Sequence, residues 1–437
     1  MCQVEPQICT PKRLDESEIA KMNATTTTNA AIKQQRPKAF TPPPIVSQET
    51  VLAVGFSMFL ATYFWLPSIL VLTYLASQFI PYSFRTTDDA SQRRKLHKKF
   101  MENPNTPPHL REIPNDVILE ERYWSNSRGM LLCTSIMTPR YQEVKAVICF
   151  CHGYSDNASF LARYENLRFV REGFAVVSVE YEGHGRSDGP SGLIYDWNAT
   201  VHDVVSYFGE VKRERFSDKK CFLMGESMGG AVAFCAQETS PSLFAGCIFV
   251  APMCKLGDAM RPPQWVIDAF KMIAGPDGSN HYLGFLPIAP AKSKLSHITY
   301  KLPEKRELAS ACPTSYVLNP RLTTARELYM ATTRIAENMK NFDAPFLVMH
   351  GKDDGVTDPQ FSKALYDESC STDKSIRLYD GTFLLNDFRV CVCMSNCGSQ
   401  HVFFCKTGMW HSITCGEPEE GVDLVFQDAI NWVKARI

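Results

Sequence analysis

The run "CFLMGESMGGAVAFCAQE", residues 221–238, constrains the fold of this chain more than any other stretch. It passes from a short apolar segment, through Gly225-Glu226-Ser227-Met228-Gly229, into a second segment of helix-like composition. That order predicts a strand, a tight turn whose glycines leave room for close backbone approach, and a helix. The serine at the apex would be lifted clear of the sheet, with the amides of the following helix aimed at it.

The pattern recurs. "EVKAVICFCHG" (143–153), "GFAVVSVEYEGHG" (173–185), "LFAGCIFVAP" (243–252), "APFLVMHG" (344–351) and "SIRLYDG" (375–381) are further apolar runs. Near-continuous apolar strands separated by helices predict a mostly parallel central sheet with helices on both faces. Val422, Val425, Phe426, Ala429, Ile430 and Val433 follow i, i+3, i+4, i+7 spacing and predict a final helix. Residues 255–342 break the alternation and are read as an insertion between two strands. Its place suits a helical lid, and its plainer reading is extra core packing.

A serine is a weak nucleophile without a base, and the base needs an orienting acid. For a strand–turn–helix serine the chain order is Ser, then Asp or Glu, then His. "VMHGKDDGVTD" supplies Asp353, Asp354 and Asp358, and downstream of it stand two histidines, His401 and His411. In "CHGYSDN" the amide of Tyr154 is expected to form half of an oxyanion hole, with the amide of Met228 as the other half. His152 and His184 precede Ser227 in the chain and are read as structural.

"FCHGYSDNASF", "VEYEGHGRSDG", "GESMGG", "APMCK", "KRELASACPTSYVLNPRLTTARELY", "HGKDDGVTDPQFSKALYDES" and "GMWHSITCGEPEEG" together resemble the plant-type monoacylglycerol lipase family of serine hydrolases. That family includes lysophospholipase-like enzymes and caffeoylshikimate esterases. The resemblance covers about 116–437 and implies an α/β-hydrolase fold with a helical cap at about 255–342. It implies Ser227 as nucleophile, His411 as base and Asp354 as acid, since the family places its acid third after the glycine of "HG-x-x-D". It agrees with Tyr154 and Met228 as the oxyanion amides, and it implies no cofactor and no metal. The expected reaction is cleavage of carboxylic esters of apolar acyl chains. A lysophospholipase or an acyltransferase would use the same triad. A catalytically silent binding protein on the hydrolase fold is the alternative from another class.

The upstream chain adds an expectation outside that resemblance. Residues 1–49 are polar, carry a Thr-rich patch, and are expected to be disordered. Residues 50–84 contain no charged residue. Roughly 20 apolar residues suffice for a membrane helix, so this segment is read as a membrane attachment, either one span kinked at Pro67 or a re-entrant hairpin. Arg85, Arg93, Arg94, Lys95, Lys98 and Lys99 follow it, which puts the catalytic part in the cytosol, on a surface such as the endoplasmic reticulum or a lipid droplet. Residues 85–115 are read as a linker and 116–437 as the hydrolase domain. Partners are then a lipid ester and a membrane. With net charge -1 and no basic block, nucleic acid is not expected, nor is an obligate protein partner. The 16 cysteines are few for the length, and Cys149, Cys151, Cys221 and Cys247 sit in apolar runs as reduced core residues do.

Residues 382–408 do not fit. Removing them leaves "LYDGMWHSITCGEPEEG", an uninterrupted match to the family. The excess of 27 residues corresponds to 81 nucleotides, and a GGT-ACN start with an ACA-GGN end would supply intron boundaries in frame. The segment is therefore read as a retained intron, expected to lack a regular strand or helix packed on the core. Two rivals are a zinc site of Cys391, Cys393, Cys397, His401 and Cys405, whose spacing is not a standard one, and a genuine surface loop.

Overall fold

The structure is a computed structural model that describes residues 90–254, 284, 287, 289, 296–380, 390–394, 400–404 and 408–437. The apolar runs form strands as their composition predicts: β3 Ala146–Cys151, β4 Phe174–Val179, β5 Cys221–Glu226, β6 Gly246–Val250, β7 Phe346–Gly351 and β8 Lys374–Tyr379. Ahead of them stand β1 Val117–Ser125 and β2 Leu131–Pro139, an antiparallel pair. The eight strands are ordered β1-β2-β4-β3-β5-β6-β7-β8, with β4, β3, β5, β6, β7 and β8 mutually parallel and β2 antiparallel to β4.

The chain runs from β3 to one side, to β4, and then returns to the other side of β3 as β5. This reversal opens a crevice beyond the carboxyl ends of β3 and β5, where ligands bind in open α/β sheets. His152 and Gly153 follow β3 there, and Ser227 follows β5.

Successive side chains of a strand point to opposite faces, and both faces here are apolar. Cys221 and Leu223 of β5 enter one buried cluster, and Phe222 and Met224 enter the other. The first cluster is closed by helices α2 Trp197–Arg215, α3 Met228–Thr239 and α4 Leu322–Asn338, and the second by α6 Glu419–Lys434. All six apolar positions expected on the last helix are buried. Each fully buried Val, Ile or Phe of this kind contributes about 1.5–3 kcal/mol. Cys149, Cys151, Cys221 and Cys247 are buried free thiols within these cores.

The insertion between β6 and β7 is described from Ser296. Its last long helix, α4, buries Ala331 and Ile335 in the main core, so this part provides core packing. The earlier part of the expected cap, 255–295, lies outside the described residues apart from three positions.

The reading of 85–115 as a linker gives way, from Ala90 on, to helix α1 Ala90–Glu102 and a short helix Pro108–Arg111. Ala90, Arg93 and His97 fall on one helical face and are buried. Arg93 donates to the carbonyls of Gly185 at 2.8 Å, Ser187 at 2.5 Å and Gly189 at 3.0 Å. A guanidinium supplies five donors, which is why an arginine can be buried in such a nest of carbonyls. Residues 1–49 and the expected membrane segment 50–84 lie outside the described residues. Among the described residues, no helix is long and apolar enough to cross a membrane.

Within 382–408 two strands are described, β9 Val390–Met394 and β10 Gln400–Phe404, paired antiparallel with His401 opposite Cys393. The expectation was of no regular strand or helix packed on the core, and a regular hairpin is present here. Valines, phenylalanines and alternating residues suit a pleated hairpin. The hairpin forms a sheet of its own, separate from the eight strands.

Candidate active site

β5 ends at Glu226 and α3 begins at Met228, so a single residue, Ser227, makes the whole turn. It adopts φ 55 and ψ -119, a region that L-residues occupy at a cost of about 1–3 kcal/mol. Three backbone bonds hold it: its N–H donates to Val250 at 3.0 Å, and its carbonyl accepts from Gly230 and Met253, each at 2.9 Å. The flanking glycines are required by contact. A Cβ on Gly225 would lie 2.1 Å from the Gly229 carbonyl oxygen, and one on Gly229 would lie 2.0 Å from that of Cys151.

The end of β3 packs beside this turn. A Cβ on Gly153 would sit 3.5 Å from the Ser227 Cβ. Gly153 and Asp156 close a tight turn at 3.3 Å, with Ser155 at φ 61, and this turn carries the amide of Tyr154. Met228 opens α3, where first-turn amides have no intrahelical acceptor. The Tyr154 hydroxyl donates to Gly192 at 2.9 Å.

His152 is fully buried, donates from Nδ1 to the Gly153 carbonyl at 2.8 Å, and accepts from the Tyr181 amide at Nε2, 3.2 Å away. Burial lowers its imidazole to about 4. The His184 Nδ1 lies 3.1 Å from the Glu182 carbonyl, and burial lowers that ring to about 3. Each ring has a backbone carbonyl partner at Nδ1, in the way expected of structural histidines.

The loop after β7 and the segment before α6 meet at Asp354. His411 donates from Nδ1 to Asp354 Oδ2 at 2.7 Å. The other carboxylate oxygen, Oδ1, accepts the amides of Val356 at 2.7 Å and Thr357 at 3.0 Å. Burial would raise the Asp354 carboxyl, but the imidazoles of His411 and His350 hold it well below the usual range. Burial would lower His411, and the Asp354 carboxylate, aided by Glu226, holds it above its ordinary value instead. Asp353 faces elsewhere and accepts the Gly408 amide at 2.5 Å. Asp358 caps helix α5, Pro359–Glu368, by accepting from Gln360 N–H at 2.9 Å. The side chain of His401 lies outside the described residues.

The loop carrying His411 is fixed from several directions. Thr414 donates to Glu226, the neighbour of Ser227, at 2.7 Å. Glu417 accepts the Trp410 amide at 2.7 Å. The return path of the 255–342 insertion adds four bonds: Ser412 N–H to Thr299 at 3.0 Å, Lys301 N–H and Leu302 N–H to Gly416, each at 3.2 Å, and Lys301 Nζ to the Gly408 carbonyl at 3.3 Å. Among the described residues, no group of three or more His, Cys, Asp or Glu side chains is arranged to hold a metal.

A protein-family model described as serine aminopeptidase, S33, matches residues 142–383, more than half of the chain. The chain belongs to the serine aminopeptidase S33 family. This S33 chain is 28% identical over 317 residues to caffeoylshikimate esterase of Arabidopsis thaliana, covering 72% of this chain and 85% of that protein. It is 24% identical over 242 residues to monoglyceride lipase of Mus musculus, covering 55% of this chain and 75% of that one. Among solved structures, a soluble variant of monoglyceride lipase from Saccharomyces cerevisiae, in complex with a substrate analog, superposes with a TM-score of 0.57 at 18% identity. That match covers 73% of this chain and 96% of the other, and at such identity it speaks for the fold alone. The chain is thus an α/β-hydrolase of monoacylglycerol lipase-like type.

Three contributors to the S33 site escape a reading by motif. His350 donates from Nε2 to the Asp354 carboxylate at 2.9 Å, and the Thr357 hydroxyl lies 2.9 Å from the same oxygen. Glu226 occupies the variable position of G-x-S-x-G, so the pattern assigns it nothing, yet it ties the serine turn to the His411 loop. The proximity of His350 to Asp354 in "HGKDD" was a visible signal, but the strand end that turns both side chains together was not.

Proposed function

We propose that this chain is a serine hydrolase of carboxylic esters in which Ser227 attacks, His411 is the base and Asp354 orients it. The observation that carries the reading is the 2.7 Å bond from His411 Nδ1 to Asp354, on a loop that Thr414 ties to the residue beside Ser227. A carboxylate at Nδ1 fixes the tautomer whose Nε2 is unprotonated and able to take the serine proton. The strained φ of Ser227 and the bonds around it fix the nucleophile before substrate arrives.

In this mechanism Ser227 Oγ adds to the ester carbonyl as its proton passes to His411 Nε2. The amides of Tyr154 and Met228 receive the oxyanion. His411 then protonates the leaving alkoxide, the alcohol departs, and an acyl-serine remains. Water, deprotonated by the same imidazole, adds to it and releases the acid. Such an acyl-enzyme also suits transfer to an alcohol other than water, the acyltransferase alternative.

The substrate we propose is an ester of an apolar acyl chain, a monoacylglycerol or a lysophospholipid. The relatives named for ester cleavage support the bond type, and the uncharged segment 50–84 supports a lipid surface as the place of work. A silent binding fold would require His411 to be displaced by the 382–408 segment, whereas His411 keeps its bond to Asp354.

Labelling with a fluorophosphonate probe tests the reading. The full chain should react and Ser227→Ala should not, and Ser227→Ala should lose ester hydrolysis by several orders of magnitude. Turnover of a panel of monoacylglycerols, lysophospholipids and hydroxycinnamoyl esters then orders the substrates. An unlabelled wild-type chain, or an active Ser227→Ala variant, overturns the assignment.

A further inference from the structure

The Asp354 carboxylate stands between two imidazoles. One belongs to His411, at 2.7 Å, and the other to His350, at 2.9 Å, and both reach the same oxygen, Oδ2. His350 lies on β7 and is fully buried. An ionised carboxylate only accepts, so His350 Nε2 must carry the proton of that bond. The opposite nitrogen, Nδ1, is then the acceptor, and the Ser362 hydroxyl on α5 lies 2.7 Å from it. Ser362 is itself fully buried. Asp354 therefore selects the His350 tautomer that donates to it, and the Ser362 hydroxyl holds the ring from its other side.

We infer that His350 is a positioning residue for the ester hydrolysis proposed above: with Ser362 it holds Asp354 and tunes how strongly that carboxylate draws on the His411 proton. The inference rests on the assignment of Asp354 and His411 as acid and base. A carboxylate oxygen that accepts several bonds shares its charge among them. When one donor is taken away, the remaining partner is held more strongly. His411 should then keep its proton to higher pH. The titratable groups facing His411 are Asp354, His350 and, from the serine turn, Glu226, so the carboxylates raise its proton affinity and His350 moderates one of them. The Thr357 hydroxyl, 3.2 Å from His411 Nδ1 and 3.1 Å from the Ala251 carbonyl, also lies at this junction but does not titrate.

The test compares His350→Leu, His350→Gln, Ser362→Ala and Asp354→Asn in the full chain, each by the pH profile of kcat/KM on one soluble ester. His350→Leu removes the donor at similar bulk. It should lower kcat by about 10- to 100-fold with KM little changed, as a small displacement of a catalytic group does. Its acid limb should move to higher pH by about half a unit or more. His350→Gln carries an amide N–H at about the reach of Nε2 and should return the limb toward wild type. A purely structural histidine would not separate Leu from Gln in this way. Where His350→Leu fails to fold, Ser362→Ala decides, with a smaller shift in the same direction. An unmoved acid limb in the folded His350 variant, or in Ser362→Ala where that variant decides, with Asp354→Asn inactive, overturns the role of His350. An active Asp354→Asn overturns the triad itself.

Discussion

Excision of residues 382–408 should leave the domain more stable and its chemistry intact. The main-chain geometry at the two ends of this segment makes the expectation quantitative. The Met409 N–H donates to the Tyr379 carbonyl at 3.4 Å, although 29 residues separate the two in the chain. Both ends are also bound to the loop after β7. Lys352 N–H donates to the Tyr379 carbonyl at 3.1 Å, and Asp353 N–H donates to the Met409 carbonyl at 3.0 Å. After excision Tyr379, Asp380, one glycine and Met409 become consecutive, and the existing bond becomes the i to i+3 bond of a β-turn. The glycine occupies the third position, where a positive φ is tolerated. Because a glycine stands at both 381 and 408, the product is the same whichever is removed, and the Gly408 amide bond to Asp353 can be kept. Hairpin β9–β10 pairs only with itself, so no ladder of the eight-stranded sheet is lost. Shortening the closed loop from about 30 residues to about 4 lowers its closure cost by about 2 kcal/mol. For a domain of this size that is a rise of about 2–5 °C in the unfolding midpoint. Calorimetry or denaturant titration of the full and shortened chains measures it, alongside kcat/KM on a soluble ester. The shortened chain should be the more soluble and the more active, and His411→Ala in it should abolish turnover. A lower midpoint, or a dead shortened chain beside an active, zinc-loaded full one, refutes the reasoning and makes the cysteine cluster a genuine site.

Asp354→Asn should reduce kcat about 10⁴-fold by presenting the wrong tautomer to the base, whereas Asp353→Asn should be mild; the opposite ranking in steady-state kinetics would move the acid by one residue. The full chain should fractionate with membranes and resist carbonate extraction because of segment 50–84, and recovery in the soluble fraction would remove the anchor. The buried histidines should cost stability as pH falls from about 6.5 to about 4.5. His97, His152 and His184 are lowered by burial to about 4, about 4 and about 3, so they take up protons only on unfolding there. Asp156 and Glu165, raised by burial to about 7, oppose this by losing protons on unfolding. Each of these histidines contributes up to about one proton, or about 1.4 kcal/mol per pH unit, in that window, so a single His184→Gln substitution should flatten the pH dependence seen in denaturant titrations, and an unchanged slope would contradict it.

The central strands were legible because each is apolar on both faces and bounded by glycine or proline. The hairpin β1–β2 was not. β1 reads "VILEERYWS", and Glu120, Glu121 and Arg122 are exposed at the sheet edge, so it has neither a continuous apolar run nor a clean alternation. Helix α1 was hidden for another reason. Its buried face is built on Arg93 and His97, and a buried arginine looks like a solvated one until the carbonyls that receive it are known. At the proposed site, sequence order pointed to Ser227 and left two histidines as candidate bases, and the family spacing chose Asp354 over Asp353. His350 and Glu226 could not be reached in that way. Their roles depend on which side of a strand end faces the loop, and one residue of register changes the answer.

The four bonds between Thr299, Lys301, Leu302 and the His411 loop bear on how chimeras of this enzyme are designed. A substrate-selecting module exchanged between relatives is ordinarily cut where it leaves and rejoins the sheet, here between β6 and β7. In this protein the returning strap is stitched to the loop of the proposed general base before the sheet is reached. A graft ending inside 299–302 would change acyl preference and turnover together, and the two effects would be indistinguishable. A graft ending ahead of Ser296, which leaves the native strap in place, would let specificity be varied while the base keeps its own scaffold.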